Sequence, residues 1–281
     1  MRYITNYYTS LNLNIKLYLA DCRFAIYGIL LMVFCLTEIQ AKESPFIVGE
    51  KIVYKVFYNW NFIWLSAGEV VFEIKDEGEV YHVEVSGRTY ASYEWFYKVR
   101  DKFHTYIDKQ TLLPRLYIRD IQEGSYSHYE KIVFDYQSRV VHSHVGKSIG
   151  KTKLTVLPLQ EEMHDLISTL YHLRTIDLKD LKSKVKIPFK MILDGEIYNL
   201  NIHCEKEEKL TVKESGTYQV LHCLTQVIAG NMFRKNTTLK VNVGDDNNKI
   251  PVLIESPLSV GTVKAILKSY EKLKYPFTSK Y

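Results

Sequence analysis

The chain has 281 residues, of which 25% are charged, and a formal net charge of +5 at pH 7. So mild a balance asks for no polyanionic partner, and the densest basic stretch, Lys179–Lys190, alternates with apolar residues as a solvated strand face does. Nucleic acid is therefore excluded as the expected ligand, and with only 4 cysteines so is a disulfide-dense scaffold; the fold must rest on an apolar core.

In chain order, the first feature is a leader. Arg23 precedes Phe24–Thr37, an uncharged apolar run, and Glu38-Ile39-Gln40-Ala41 ends in a small residue suited to cleavage. The run is shorter than the roughly 20 residues that a membrane-spanning helix needs, so residues 1–41 read as a secretory signal peptide. Cys35 follows Phe34, where a lipoprotein leader needs a small side chain, so soluble export is expected over a lipid anchor. The expected location is the bacterial periplasm or the outer-membrane surface. Only Cys204 and Cys223 remain after the leader, and the net charge becomes +4 because the leader carries Arg2, Lys16 and Arg23 against Asp21 and Glu38.

Residues 42–281 then alternate with the period of half-buried antiparallel strands. Val70, Phe72 and Ile74 oppose Glu69, Glu73 and Lys75; Tyr81, Val83 and Val85 oppose His82, Glu84 and Ser86; Val185 to Leu193 repeats the pattern. Asp76-Glu77-Gly78, Asp194-Gly195 and Ser215-Gly216 sit between such runs, where hairpins reverse. About a dozen strands are predicted, from Glu50–Tyr58 to Gly261–Leu267. One segment breaks the rhythm: Leu159–Arg174 places Met163, Leu166, Ile167, Leu170 and Tyr171 at helical spacing, with Glu161, Asp165, Ser168, His172 and Arg174 on a polar face. The expected fold is mainly β, a large curved antiparallel sheet (a half-barrel or two packed sheets) with one central amphipathic helix. No linker divides residues 42–281, so a single domain is expected.

Several constellations invite chemistry. His164 and Ser168 lie one turn apart on the helix, but a nucleophilic serine needs a strained elbow or an oxyanion hole, and no G-x-S-x-G occurs. His142 and His144 share a strand face and His128 is a third candidate ligand, yet exposed strand histidines are the commoner arrangement. His203-Cys204 and His222-Cys223 do not make a four-ligand site, because adjacent strand residues point to opposite faces. Cys204 and Cys223 both fall in apolar phase, which leaves buried thiols or one cross-strand disulfide. Asp245-Asp246 reads as a turn and Pro251 as an edge-strand start. Two aromatic clusters stand out: Tyr58, Trp60, Phe62 and Trp64, whose alternation puts them on one face, and Tyr93 and Trp95 beside Tyr90, Phe96 and Tyr97. These six residues are the candidate ligand-binding set, a rim or cavity mouth meeting lipid, glycan or a partner.

Gly49-Glu50 through Val56, Ser66-Ala67-Gly68-Glu69, Val99-Arg100-Asp101 through Asp108, Leu113-Pro114, the helix pattern D-x-x-S-x-x-Y-x-L-R at Asp165–Arg174, and Val243-Gly244-Asp245-Asp246 into Ile250–Glu255 and Gly261–Leu267 follow one another in order. In that order and spacing the chain resembles the bacterial secreted proteins of domain-of-unknown-function family 3108 (DUF3108). The resemblance spans about residues 46–270, with Val243-Gly244 departing where a bulkier residue is usual. It implies no activity and no catalytic residues. By fold analogy, the layout is similar to the half-barrels of lipoprotein carriers, which shelter acyl chains. The sequence-level expectation is a non-enzymatic envelope protein, without cofactor or metal, that binds a hydrophobic or polymeric envelope component. The alternatives are an interaction module docking on another envelope protein and, last, a hydrolase or metal-dependent enzyme.

Overall fold

A computed structural model describes residues 43–60, 63–95, 97–226, 238–258 and 261–281, with only the backbone described at Trp60 and Ile63. Among the described residues fifteen strands form one sheet, a meander interrupted once and antiparallel except where β9 joins β10. β1 (Lys51–Trp60), β2 (Ile63–Glu77), β3 (Val80–Thr89), β4 (Arg100–Asp108), β5 (Pro114–Glu123), β6 (Tyr126–Asp135), β7 (Val140–Gly146) and β8 (Thr152–Pro158) follow in order to one edge of the sheet. The chain then crosses to the other edge through β9 (Met163–His164), α1 (Leu166–Thr175) and α2 (Leu178–Lys182). From there β10 (Ile187–Leu193), β11 (Glu196–Val212), β12 (Gly216–Gln226), β13 (Thr238–Gly244), β14 (Pro251–Pro257) and β15 (Thr262–Glu271) return to the centre. β15 pairs with β1, so the first and last strands meet in the middle of the sheet.

The alternation in sequence becomes two faces. Ile74, Val83, Thr105, Tyr117 and Ile132 are aligned across β2 to β6 and are all buried on the inner face, where Ile167 and Tyr171 of α1 pack against them. On its other side α1 contributes Leu173 to a second cluster with Phe189, Leu200, Ile202, Leu221 and Val241 of β10 to β13. The sheet thus curls around the helix that connects its two edges.

α1 is shorter than Leu159–Arg174 because two features stop it. Met163 and His164 pair in parallel with Lys190 and Met191 of β10, and Asp165 caps the first turn. Its polar face is not solvated either: Asp165, Ser168 and Arg174 are all buried, because the helix lies inside the curl rather than on its surface. Pro251 does not mark an edge strand. It opens β14, which lies between β13 and β15, at the point where the register with β13 shifts and a ladder donor is dispensable.

Candidate functional site

The residues that carry the family resemblance prove to be the fold's internal ties. Asp165 Oδ1 accepts from the amides of Ile167 and Ser168, each at 2.8 Å. Ser168 Oγ accepts from the Asp165 amide at 2.9 Å and donates to Asp165 Oδ2 at 2.7 Å, closing a capping box. Thr105 of β4 donates to the same carboxylate oxygen at 2.7 Å, which fastens the helix to the sheet. At the other end of α1, Arg174 forks onto Glu50, Nη1 to Oε1 at 2.6 Å and Nη2 to Oε2 at 2.8 Å, while Nε donates to the Asn248 carbonyl at 2.9 Å. Its guanidinium plane lies over the rings of Phe46 and Tyr171. At Gly68 a Cβ would run into the Arg88 carbonyl, so only glycine permits the β2–β3 approach there. Asp246 accepts from Asn248, Ser279 Oγ and the Ser279 amide, and so pins the chain end beside the turn.

This arrangement removes the serine-nucleophile reading. Ser168 is 1% exposed and its hydroxyl is engaged in the capping box with Asp165, so no substrate reaches it. The three-histidine metal reading fails on geometry: Ile132 pairs with Ser143 and Val133 with His142, so His142 and His144 face outward while His128, in phase with Ile132, faces inward. Cys204 and Cys223 stand opposite each other on β11 and β12 within the apolar cluster and form a disulfide.

His128 belongs instead to a polar cluster on the inner face. Arg119 of β5 pairs with Glu130 of β6, and Asp194, at the β10–β11 turn, reaches in to bind Arg119 and to lie 2.8 Å from His128 Nε2. Arg119 Nη2 sits 3.1 Å from Glu130 Oε2 and 2.7 Å from His128 Nε2. Burial pushes the Glu130 carboxyl up to about 7; Arg119 pulls it down, but the nearby Asp194 charge adds to the rise. Asp194 goes the other way: burial would raise it, but His128 and Arg119 hold it below the usual carboxylate range. The Tyr117 hydroxyl and Arg119 Nε are buried without a hydrogen-bond partner, so the cluster has polar capacity to spare. Arg119 already fills the cationic position, which disfavours a metal here.

Antiparallel order places the β1–β2, β3–β4, β5–β6, β7–β8 and β10–β11 turns at one end of the sheet, above this cluster. Aromatic side chains are displayed at the same end: Trp95 is 83% exposed, Trp64 42%, Tyr126 40% and Tyr97 39%. Tyr93 lies half-buried in a 3₁₀ turn, Ala91–Tyr93. Beneath Tyr97, burial pushes the Asp101 carboxyl up to about 7, with the neighbouring Glu123 adding to the rise. The first aromatic cluster does not share a face. The register pairs Trp60 with Ile63, Tyr58 with Leu65 and Trp64 with Asn59. Tyr58 therefore follows Ile52 and Tyr54 to the inner side, whereas Trp64 faces out under the Lys264 ammonium, 4.4 Å from its ring. The side chains of Trp60 and Phe62 lie outside the described residues. Sequence reading places no site at Glu130 or Asp194; the in-phase charges of two adjacent strands, Arg119 and Glu130, were the available signal. A separate groove of about 360 Å³ is lined by Glu161, Glu162, His172, Lys190, Asn199 and Asn201 over an apolar floor of Pro188, Phe189 and Leu200.

A single curled, open sheet wrapped around a helix, antiparallel but for its last strand pair, is a β-barrel-like fold. A crystal structure described as a beta-barrel-like protein of the domain of unknown function DUF1849, from Brucella abortus, shares this fold, with TM-score 0.53 and 10% identity over 80% of this chain and 97% of that one. The family described as "Protein of unknown function (DUF3108)" matches residues 53–268, and the chain belongs to it. No curated protein matches the chain.

Proposed function

We propose that this is an exported, non-enzymatic envelope protein that binds an apolar or polymeric envelope component at the aromatic end of its sheet. The observation that carries the reading is the exposure of Trp95, Trp64, Tyr97 and Tyr126 at one end, where large aromatics left in water cost free energy unless something covers them. The residues proposed to meet the ligand are Tyr58, Trp60, Phe62, Trp64, Tyr93 and Trp95. The interior of the curl is filled by the protein's own side chains around α1, which directs the ligand to the rim rather than to a deep acyl-chain cavity. Export rests on the leader pattern of residues 1–41, and the absence of catalysis on the commitment of Ser168 and of the family motifs to structure.

Native mass spectrometry of residues 42–281 from an envelope fraction tests the proposal. An extra mass that disappears on denaturation, and that Trp95→Ala and Trp64→Ala reduce without unfolding the protein, is expected. A bare calculated mass from every preparation refutes binding. One further feature favours docking on another envelope protein: β8 is an edge strand with Leu154 47% and Val156 52% exposed on its outer face, a surface suited to strand addition. Crosslinks from β8 to a partner, with no bound small molecule, would select that reading.

A further inference from the structure

The outer face of β2 to β4 carries a second group of chemistry-bearing side chains, independent of the aromatic end. Glu84 pairs directly with His104 across β3 and β4, and His82 with Tyr106, so the two histidines stand diagonally on one face. His82 is 7% exposed, roofed by the Tyr106 ring stacked on it at 4.4 Å. His82 Nε2 and His104 Nδ1 face each other at 3.0 Å, and one ligand atom from each of His82, Glu84 and His104 falls within a span of 4.8 Å. His82 Nδ1 lies 2.6 Å from Glu77 Oε1. His82 Nδ1 makes no hydrogen bond at this 2.6 Å approach, but the Glu77 carboxylate favours the tautomer with the proton on Nδ1, which leaves Nε2 to turn its lone pair toward His104.

We propose that His82, His104 and Glu84 form a site for a zinc-type divalent cation, with Glu77 orienting His82 from behind. The carboxylate–histidine–cation order is the one that fixes the tautomer and raises the basicity of a ligating imidazole. Two imidazoles and one carboxylate suit zinc, and leave a fourth position for water. At a zinc–nitrogen distance of about 2.0–2.1 Å, two ligands of a tetrahedron stand about 3.3 Å apart. From the observed 3.0 Å the rings need to open by only a few tenths of an ångström. Lys75 holds Glu84 Oε2 at 2.5 Å, and the other carboxylate oxygen is the one assigned to the cation.

The full chain, made without a histidine tag, stripped with EDTA and dialysed, is titrated with Zn²⁺ by calorimetry, with elemental analysis after gel filtration. One equivalent is expected. His104→Gln and, as a second disruption, Glu84→Gln should abolish stoichiometric uptake, and Glu77→Gln should weaken it by about 10–100-fold. His142→Gln, on the outer face of β7, should leave binding unchanged, and circular dichroism should report the same fold for all four variants. No stoichiometric zinc, or one equivalent that His104→Gln and Glu84→Gln both leave intact, overturns the proposal.

Discussion

Replacing Arg174 by alanine is expected to be among the most destabilising single changes in the protein. Glu50 is 1% exposed and Arg174 5%, and the guanidinium fork satisfies both carboxylate oxygens as well as the Asn248 carbonyl. Removing the arginine leaves a buried carboxylate with no counter-charge, a situation that costs about 3–5 kcal/mol. For a compact unit of this size, each kcal/mol moves the melting temperature by about 2–4 °C, so a drop of roughly 6–20 °C is expected by calorimetry. The same loss should appear in urea unfolding as a lower midpoint at unchanged slope. Lysine does not rescue, because it keeps the charge but not the fork that also reaches Asn248. The double variant Glu50→Gln/Arg174→Met removes both charges, and its cost should fall short of the sum of the single changes by more than about 1 kcal/mol. If Arg174→Ala costs less than about 1 kcal/mol, or the double variant is merely additive, the pair does not anchor α1 and the argument is wrong.

Three further outcomes follow from particular contacts. Glu130 holds a proton in the folded state that the unfolded chain releases, so its contribution is present below pH 4.5 and is lost as pH rises to about 7. Glu130→Gln should therefore flatten the fall in stability across that window and be the more stable form by roughly 1–3 kcal/mol at pH 8, measured by urea unfolding against pH. Ser168→Ala breaks the capping box and strips a donor from buried Asp165, and chemical denaturation should show a loss of about 1–2 kcal/mol. The disulfide closes a separation of 19 residues, so Cys204→Ala/Cys223→Ala should cost about 3 kcal/mol, and a reductant should lower the stability of the parent protein but not of the double variant.

Period-two alternation, turn residues and the single helical stripe made the mainly β, helix-crossed architecture legible in the sequence. They did so because those signals are local: a strand's two faces and a turn's backbone are specified within a few residues. The opposed cysteines were legible for the same reason, each in phase with the apolar face of its own strand. What residues 58–64 share was not, since the register sets Tyr58 against Leu65 and Asn59 against Trp64, which sends Tyr58 inward and Trp64 outward. The polar side of α1 read as solvated because helical spacing records which residues lie together, not what covers them; only the curl of the sheet decides that Asp165, Ser168 and Arg174 are buried. The Glu50–Arg174 pair spans 124 residues, and the cluster of Arg119, Glu130 and Asp194 joins β5 and β6 to a turn 75 residues beyond Arg119. Such pairings depend on which strands become neighbours and on how far the sheet bends, and that is a property of the tertiary structure alone.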